Sequence, residues 1–341
     1  MPTAESLQLT SLSVHSTALA GNRYMDPTTR RVEVILPPSY EREPSRRYPV
    51  IYVLSSFAGT GYQLLNRSPI AESLDERISR LHAQDPTLPE FITVLPDCYT
   101  ALGGSQYVNS PVLGRYQDHL VHEVVPLVDA KLRTLAASAH RAVVGRSSGG
   151  IGALWLAMNH PDLFSAVASH AGDGFFRMTT PPELLKFCRR VRRYGGPEGA
   201  LKTWLDAGKG PRPGELFDVM TIFASGAAYS PDPTLPLGFA LPVNWHDATI
   251  DEAVFARWLR YDPVEICDEE PYRQALAKLN LIFIDAGTRD EYYLDMAARK
   301  LVSRLRSLSI PVVHEEFDDG HMNTNYRFDR SLPALARAIA G

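Results

Sequence analysis

Gly145-Arg-Ser-Ser-Gly149 constrains this chain more than any other stretch, because of what lies on either side of it. His140-Arg-Ala-Val-Val144 ahead of it is a short apolar run of the kind that makes a buried strand. Gly150-Ile-Gly-Ala-Leu-Trp-Leu-Ala-Met158 behind it is rich in helix formers. A G-x-S-x-G between strand and helix holds its serine in a sharp, strained turn with the hydroxyl exposed above the sheet. The flanking glycines let the turn close without a Cβ clash and let the helix pack tightly on the strand. The pattern predicts a strand–turn–helix unit with Ser147 as a nucleophile rather than a purely structural turn.

Repeated strand-then-helix alternation extends that unit along the chain and predicts an α/β fold, with a mostly parallel sheet covered by helices on both faces. Residues 7–16 and 31–36 read as opening strands, 48–54 as a continuous apolar strand, and 91–95, 164–169, 281–285 and 312–317 as further strands. Helices are expected over 70–82, 290–308 and 331–340. Tyr116, Leu120, Val124, Val128 and Leu132 recur every fourth residue, the stripe of one buried helix face. Between residues 174 and 274 the rhythm breaks into proline-punctuated pieces, among them Pro181, Pro182, Pro197 and Pro211. A loop of that length inside a compact domain needs its own structure or a function. The chain therefore reads as a single domain over 1–341 with an inserted cap over 174–274, the alternative being an extra packing layer remote from the site.

The net charge of −4 over 341 residues argues against a nucleic-acid or anionic-membrane partner. No apolar run approaches transmembrane length. Met1-Pro-Thr-Ala-Glu-Ser-Leu7 has neither the basic start nor the apolar core of a signal peptide, so a cytoplasmic location is expected. Cys98, Cys188 and Cys267 are odd in number and far apart, as free buried thiols are. No metal is expected: His119, His122 and Glu123 do not make H-E-x-x-H, and a solvated or capping role on a helix suits the two histidines.

A serine hydroxyl needs a base within hydrogen-bond reach and an acid to orient that base. Where a G-x-S-x-G serine leads such a set, the chain order is Ser, then Asp or Glu, then His. His314 and His321 follow the last acid-bearing strand; His314 lies inside the strand, whereas His321 follows Gly320 in a turn that projects over the strand ends. For the acid, Ile284-Asp-Ala-Gly-Thr-Arg-Asp-Glu291 supplies Asp285, Asp290 and Glu291. Asp285 is still on the strand and Asp290 lies past the Gly287 turn, where an aspartate alone is more often a helix N-cap. Asp290 is preferred, with Glu291 and then Asp173 behind it. The oxyanion donors are expected to be the backbone amides of Ser148 and Phe57, with Ser56 as the alternative to Phe57.

Taken together, these residues resemble the esterase branch of the α/β-hydrolase superfamily, which includes S-formylglutathione hydrolases, enterochelin esterases, feruloyl esterases and mycolyltransferases. The likeness is carried by Tyr48-Pro-Val-Ile-Tyr-Val-Leu54, Leu95-Pro-Asp97, Gly103-Gly-Ser-Gln-Tyr107, Gly145-Arg-Ser-Ser-Gly-Gly150, His160-Pro-Asp162, Gly287-Thr-Arg-Asp290 and Gly320-His321. It implies an α/β-hydrolase fold with an eight-stranded, mostly parallel sheet, a Ser147–Asp290–His321 triad and no cofactor. Ser148 stands where the family has Met, and Ser55-Ser56 where it commonly has a glycine.

A small-molecule ester is the expected partner, hydrolysed through an acyl-enzyme; acyl transfer or thioester hydrolysis would use the same triad, and a non-catalytic binding protein is the reading from another class. Gln106 and Tyr107, in a loop after a strand end, are the expected polar contacts to substrate. Lys186, Arg189, Arg190, Arg192 and Arg193 form a basic run that is either a solvated helix face or an anion site. Phe175, Phe176, Trp245 and Trp258 offer an aromatic wall or the core of the insertion.

Overall fold

The computed structural model describes residues 7–211 and 213–340; residues 1–6, on which the reading of no signal peptide rests, lie outside the described residues. Eight strands form one sheet: β1 (Gln8–His15), β2 (Thr29–Leu36), β3 (Val50–Leu54), β4 (Ile92–Pro96), β5 (Arg141–Arg146), β6 (Ala166–His170), β7 (Leu281–Gly287) and β8 (Val313–Phe317). Their spatial order is β1-β2-β4-β3-β5-β6-β7-β8. The β1–β2 and β2–β4 pairs are antiparallel and all other neighbours parallel. The inner strands read as unbroken apolar runs because both faces are covered. Val50, Tyr52 and Leu54 of β3 enter one core, while Ile51 and Val53 enter the other.

Helices α1 (Leu74–Gln84) and α11 (Phe328–Ile339) cover the second of these cores. The first lies under α2 (116–131), α3 (Ser148–Asn159) and α10 (Leu294–Ser307). Between β6 and β7 run α4 (Phe176–Val191), α5 (Pro197–Asp206), α6 (Leu216–Tyr229), α7 (Glu252–Leu259), α8 (Pro263–Ile266) and α9 (Glu270–Ala277). Pro197 and Pro263 sit at the first helical position of α5 and α8, where the missing N–H costs nothing, so these prolines start helices as well as break the rhythm. Among the described residues, no helix is long and apolar enough to cross a membrane.

Several boundaries differ from the sequence reading for local reasons. The helix expected over 70–82 starts at Leu74, because Ser73 and Glu76 form a reciprocal capping box, and Ile70 is left exposed. The helix expected over 290–308 starts at Leu294, behind a turn in which Tyr293 is left-handed at φ 62°. In α2 the middle turn, His119–Val124, is wound with i→i+5 bonds. A spacing of four drifts by about 40° per step on a 3.6-residue helix, and the wider turn takes back part of that drift. Tyr116, Leu120, Val124 and Val128 are accordingly all buried, while Leu132 lies just past the helix end. His119 is not solvated: it is fully buried, its Nδ1 bonded to Glu123 at 2.7 Å, while Glu123 also accepts from the Thr17 and Ala18 amides and so ties α2 to the N-terminal strands. His122 is exposed.

Candidate active site

Ser147 sits between β5 and α3 with φ 56° and ψ −124°, a conformation that costs an L-residue strain and persists only where its surroundings hold it. Those surroundings are hydrogen bonds and close packing. The Ser147 amide donates to the His170 carbonyl at 2.9 Å, and the Ser147 carbonyl accepts from Gly150 and Ile151 to start α3. A Cβ on Gly149 would lie 2.7 Å from the Ser55 carbonyl oxygen and closer still to that of Leu54, and one on Gly145 would run into the Gly149 backbone. Both obstacles are main chain and cannot turn aside. Gly149→Ala is therefore expected to destabilise the protein by about 4 kcal/mol or more, read as a shift in the urea midpoint. A shift of under about 1 kcal/mol would show that the turn relaxes freely.

From Ser147 a chain of hydrogen bonds runs inward. Its Oγ lies 3.0 Å from His321 Nε2, and His321 Nδ1 lies 2.8 Å from Asp290 Oδ2. The Asp290 side chain is wholly buried and that of His321 nearly so. The capping reading of Asp290 also holds in part, since its other oxygen accepts from the Tyr292 amide at 2.9 Å. One carboxylate thus shapes the turn and faces the imidazole. Glu291, the fallback acid, binds the same histidine elsewhere, accepting its backbone N–H at 2.8 Å. Tyr292 packs edge-on against the imidazole at 4.9 Å between centroids. Asp173 is not bonded to the imidazole and lines the cavity instead. His314, inside β8, is remote from this chain and makes no hydrogen bond through Nε2 among the described residues.

Asp285 belongs to a second Ser–His–carboxylate set. His170 Nδ1 is 2.7 Å from Asp285 Oδ1 and its Nε2 is 2.7 Å from Ser331 Oγ, with Arg327 Nε donating to Asp285 at 2.8 Å. The two distances are slightly shorter than those at Ser147, but Ser331, His170 and Asp285 are 0–2% exposed and none lines the cavity. Access to substrate, not geometry alone, separates the two.

Ser147 and His321 open onto a cavity of about 160 Å3 at the C-terminal ends of the central strands. Ser56, Phe57 and Ser148 line it beside them. Neither the Phe57 nor the Ser148 amide donates to an acceptor among the described residues, so both N–H groups are available to a ligand. Gln106 also lines the cavity. Tyr107, expected beside it, does not: its ring packs under Gly152 of α3 and its hydroxyl donates to the Ser55 carbonyl at 2.6 Å, bracing the loop before Phe57 from below. Gln106 and Tyr107 both have positive φ (53° and 59°), so the loop turns sharply at these two residues.

Arg146 is the residue the sequence reading missed. As the variable position of the motif it carries no signal of its own, yet its Nη1 donates to the His321 carbonyl at 2.7 Å and ties the serine's neighbour to the histidine's backbone. Burial pulls its guanidinium pKa down, and the charge of Asp290 opposes that. Replacing it with Met is expected to lower kcat roughly tenfold with KM for a small neutral ester little changed. An equal rise in KM with kcat intact would assign Arg146 to substrate binding instead. The basic run of α4 is tied up in the insertion: Lys186 pairs with Glu183 at 2.7 Å, Arg190 with Asp218 and Arg193 with Glu215, while Arg192 donates to the His246 carbonyl and Arg189 is exposed. Phe176 and Trp258 line the cavity; Trp245 packs on His246 and over Gly196, and Phe175 begins α4 in a left-handed conformation. The three cysteines are free and buried, as expected.

A family model described as "Putative esterase" matches residues 24–329. Over 147 residues the chain is 33% identical to an esterase of Mycobacterium tuberculosis (strain H37Rv), covering 43% of this chain and 30% of that protein. The chain thus matches less than a third of that relative's length. Among solved structures, a ferulic acid esterase aligns with a TM-score of 0.64 at 20% identity, covering 98% of this chain and 99% of the other. The S-formylglutathione hydrolase of Agrobacterium tumefaciens aligns with a TM-score of 0.59 at 14% identity, covering 99% and 97%. At these identities the likeness establishes the fold, an α/β-hydrolase fold whose sheet is mixed at one edge and parallel elsewhere.

Proposed function

The chain belongs to this esterase family, and from that membership we propose that it hydrolyses carboxylic esters through a covalent acyl-enzyme on Ser147. The observation that carries the proposal is the continuous chain Ser147 Oγ–His321 Nε2, His321 Nδ1–Asp290 Oδ2 at the wall of a cavity. Ser147 Oγ attacks the ester carbonyl carbon while His321 Nε2 takes its proton. Asp290 accepts the Nδ1–H, which leaves Nε2 unprotonated beforehand and stabilises the imidazolium that forms. The carbonyl oxygen gains negative charge and accepts from the Ser148 and Phe57 amides. Collapse breaks the bond to the alcohol oxygen, which leaves with the proton from Nε2. Water then attacks the acyl carbon, giving a proton to Nε2, and the second collapse returns that proton to Ser147 as the acid departs.

Phe176, Phe217, Tyr229 and Trp258 of the β6–β7 insertion reach the same cavity, which supports reading 174–274 as a cap on a single domain rather than a remote packing layer. The proposal is tested by titrating the protein with a fluorophosphonate while following hydrolysis of an aryl acetate. Activity is expected to fall to nothing at one equivalent bound. Hydrolysis that persists in fully labelled protein, or protein that hydrolyses esters without taking up label, would contradict it. The same assay run with competing alcohols separates water from another acyl acceptor.

A further inference from the structure

The cavity beyond Ser147 holds a carboxylate to which no side chain or amide among the described residues is hydrogen-bonded. Asp173 stands three residues past β6, between Ala171 (φ 42°) and Phe175 (φ 53°), two non-glycine residues held in the left-handed region. Backbone strain of that kind persists only where the surrounding structure enforces it, and here it fixes the carboxylate at the cavity wall. The N-terminus of α4 lies two residues away but is already taken: Asp262 accepts from the Phe175 and Phe176 amides at 2.9 and 2.6 Å. Asp173 itself makes no hydrogen bond or ion pair among the described residues. Burial raises its pKa to about 6, with His321 lowering it and Asp290 raising it. An enclosed carboxylate without a partner is unfavourable and calls for a cation or donor.

A second observation points the same way. The walls near Asp173 are aromatic: Tyr229, whose pKa burial raises first and the Asp173 charge second, stands 5.7 Å from Phe176 and 5.8 Å from Trp258 between ring centroids, and all three residues line the cavity. Of the nearby cations, Lys186 is paired with Glu183, and Arg146, which lines the same cavity, donates to the His321 carbonyl and is coupled by charge to Asp290 rather than to Asp173. An unpaired carboxylate and clustered aromatic rings are the two features that bind an organic ammonium group.

We propose that this cavity is a subsite for an ammonium-bearing part of the ester, its charge met by Asp173 and its alkyl groups packed against Phe176, Tyr229 and Trp258. The inference rests on the esterase reading and narrows it to cationic esters.

Two isosteric pairs test it, one charged on the alcohol side and one on the acyl side. Acetylcholine is compared with 3,3-dimethylbutyl acetate, and methyl 4-(trimethylammonio)butanoate with methyl 5,5-dimethylhexanoate. In each pair N+ replaces C at constant shape. In at least one pair kcat/KM is expected to favour the cation about tenfold or more, and the ratio should fall to near one in Asp173→Asn. A neutral ester preferred in both pairs, or a cationic preference untouched in Asp173→Asn, overturns the proposal. Should the asparagine variant not fold, Asp173→Ser gives the same ratio. Thermal melts with tetramethylammonium chloride against sodium chloride at equal ionic strength read the site without catalysis. The tetramethylammonium salt is expected to raise the melting temperature of the parent protein, and the rise to vanish in Asp173→Asn; no rise in the parent counts against the subsite. If no ester at all is hydrolysed while the melts respond, the esterase reading fails and the cation site stands.

Discussion

Ser147→Ala is expected to lower turnover of a neutral aryl ester roughly a thousandfold or more, with the melting temperature changed by no more than a few degrees. The small effect on folding follows from the backbone. Alanine meets the same strain at φ 56° as serine does, and the bonds that hold the turn are main chain, from the Ser147 amide to the His170 carbonyl and from the Gly150 and Ile151 amides to the Ser147 carbonyl. The large effect on rate follows from removing the one hydroxyl among the described residues that lies both within 3.0 Å of an imidazole nitrogen and on the cavity wall. What survives is expected to be the contribution of binding and of the two amides alone. A folded alanine variant with more than about a tenth of the parent activity would exclude Ser147 as the nucleophile.

The second large effect separates the two adjacent acids. Asp290→Asn replaces the acceptor of the His321 Nδ1–H with a side chain that can donate to that nitrogen. The proton then sits on Nε2, where it cannot accept the Ser147 proton, and kcat is expected to fall by about 10⁴. Glu291→Gln keeps a carbonyl oxygen within reach of the His321 backbone amide, so its effect is expected to be under about tenfold. Measured side by side on one ester, the two variants should differ by about three orders of magnitude. If Glu291→Gln were the more damaging, the imidazole would be oriented through its backbone loop rather than by Asp290.

The Gly145–Gly149 motif between strand and helix points to Ser147, and chain order leaves His314 and His321, of which only His321 is carried by a turn. The acid is less legible. Asp290 and Glu291 both bind His321, one at the ring and one at the backbone, and adjacent positions in a turn give no period by which to tell them apart. The eight strands are readable because the inner ones are buried on both faces and so appear as unbroken apolar runs. Helix starts are less so: the box of Ser73 and Glu76 and the left-handed Tyr293 each shift one by four residues. Tyr107 shows the limit for substrate contacts. Gln106 and Tyr107 both have positive φ although neither is glycine, and nothing in Gln106-Tyr107 announces that backbone or which of the two reaches the cavity. Asp173, weighed in sequence as the third choice of acid, stands in the cavity, while the helix end beside it is taken by Asp262, which is far away in the chain.

The acyl-enzyme itself is the most direct test. The protein is mixed with excess aryl acetate, quenched in acid during turnover, digested and mapped by mass. One acetyl group is expected, on the hydroxyl of Ser147, and absent from the Ser147→Ala variant treated in the same way. Acetyl on Ser331, whose His170–Asp285 partners stand at slightly shorter distances away from the cavity, or turnover with no acylated serine at all, would contradict the account.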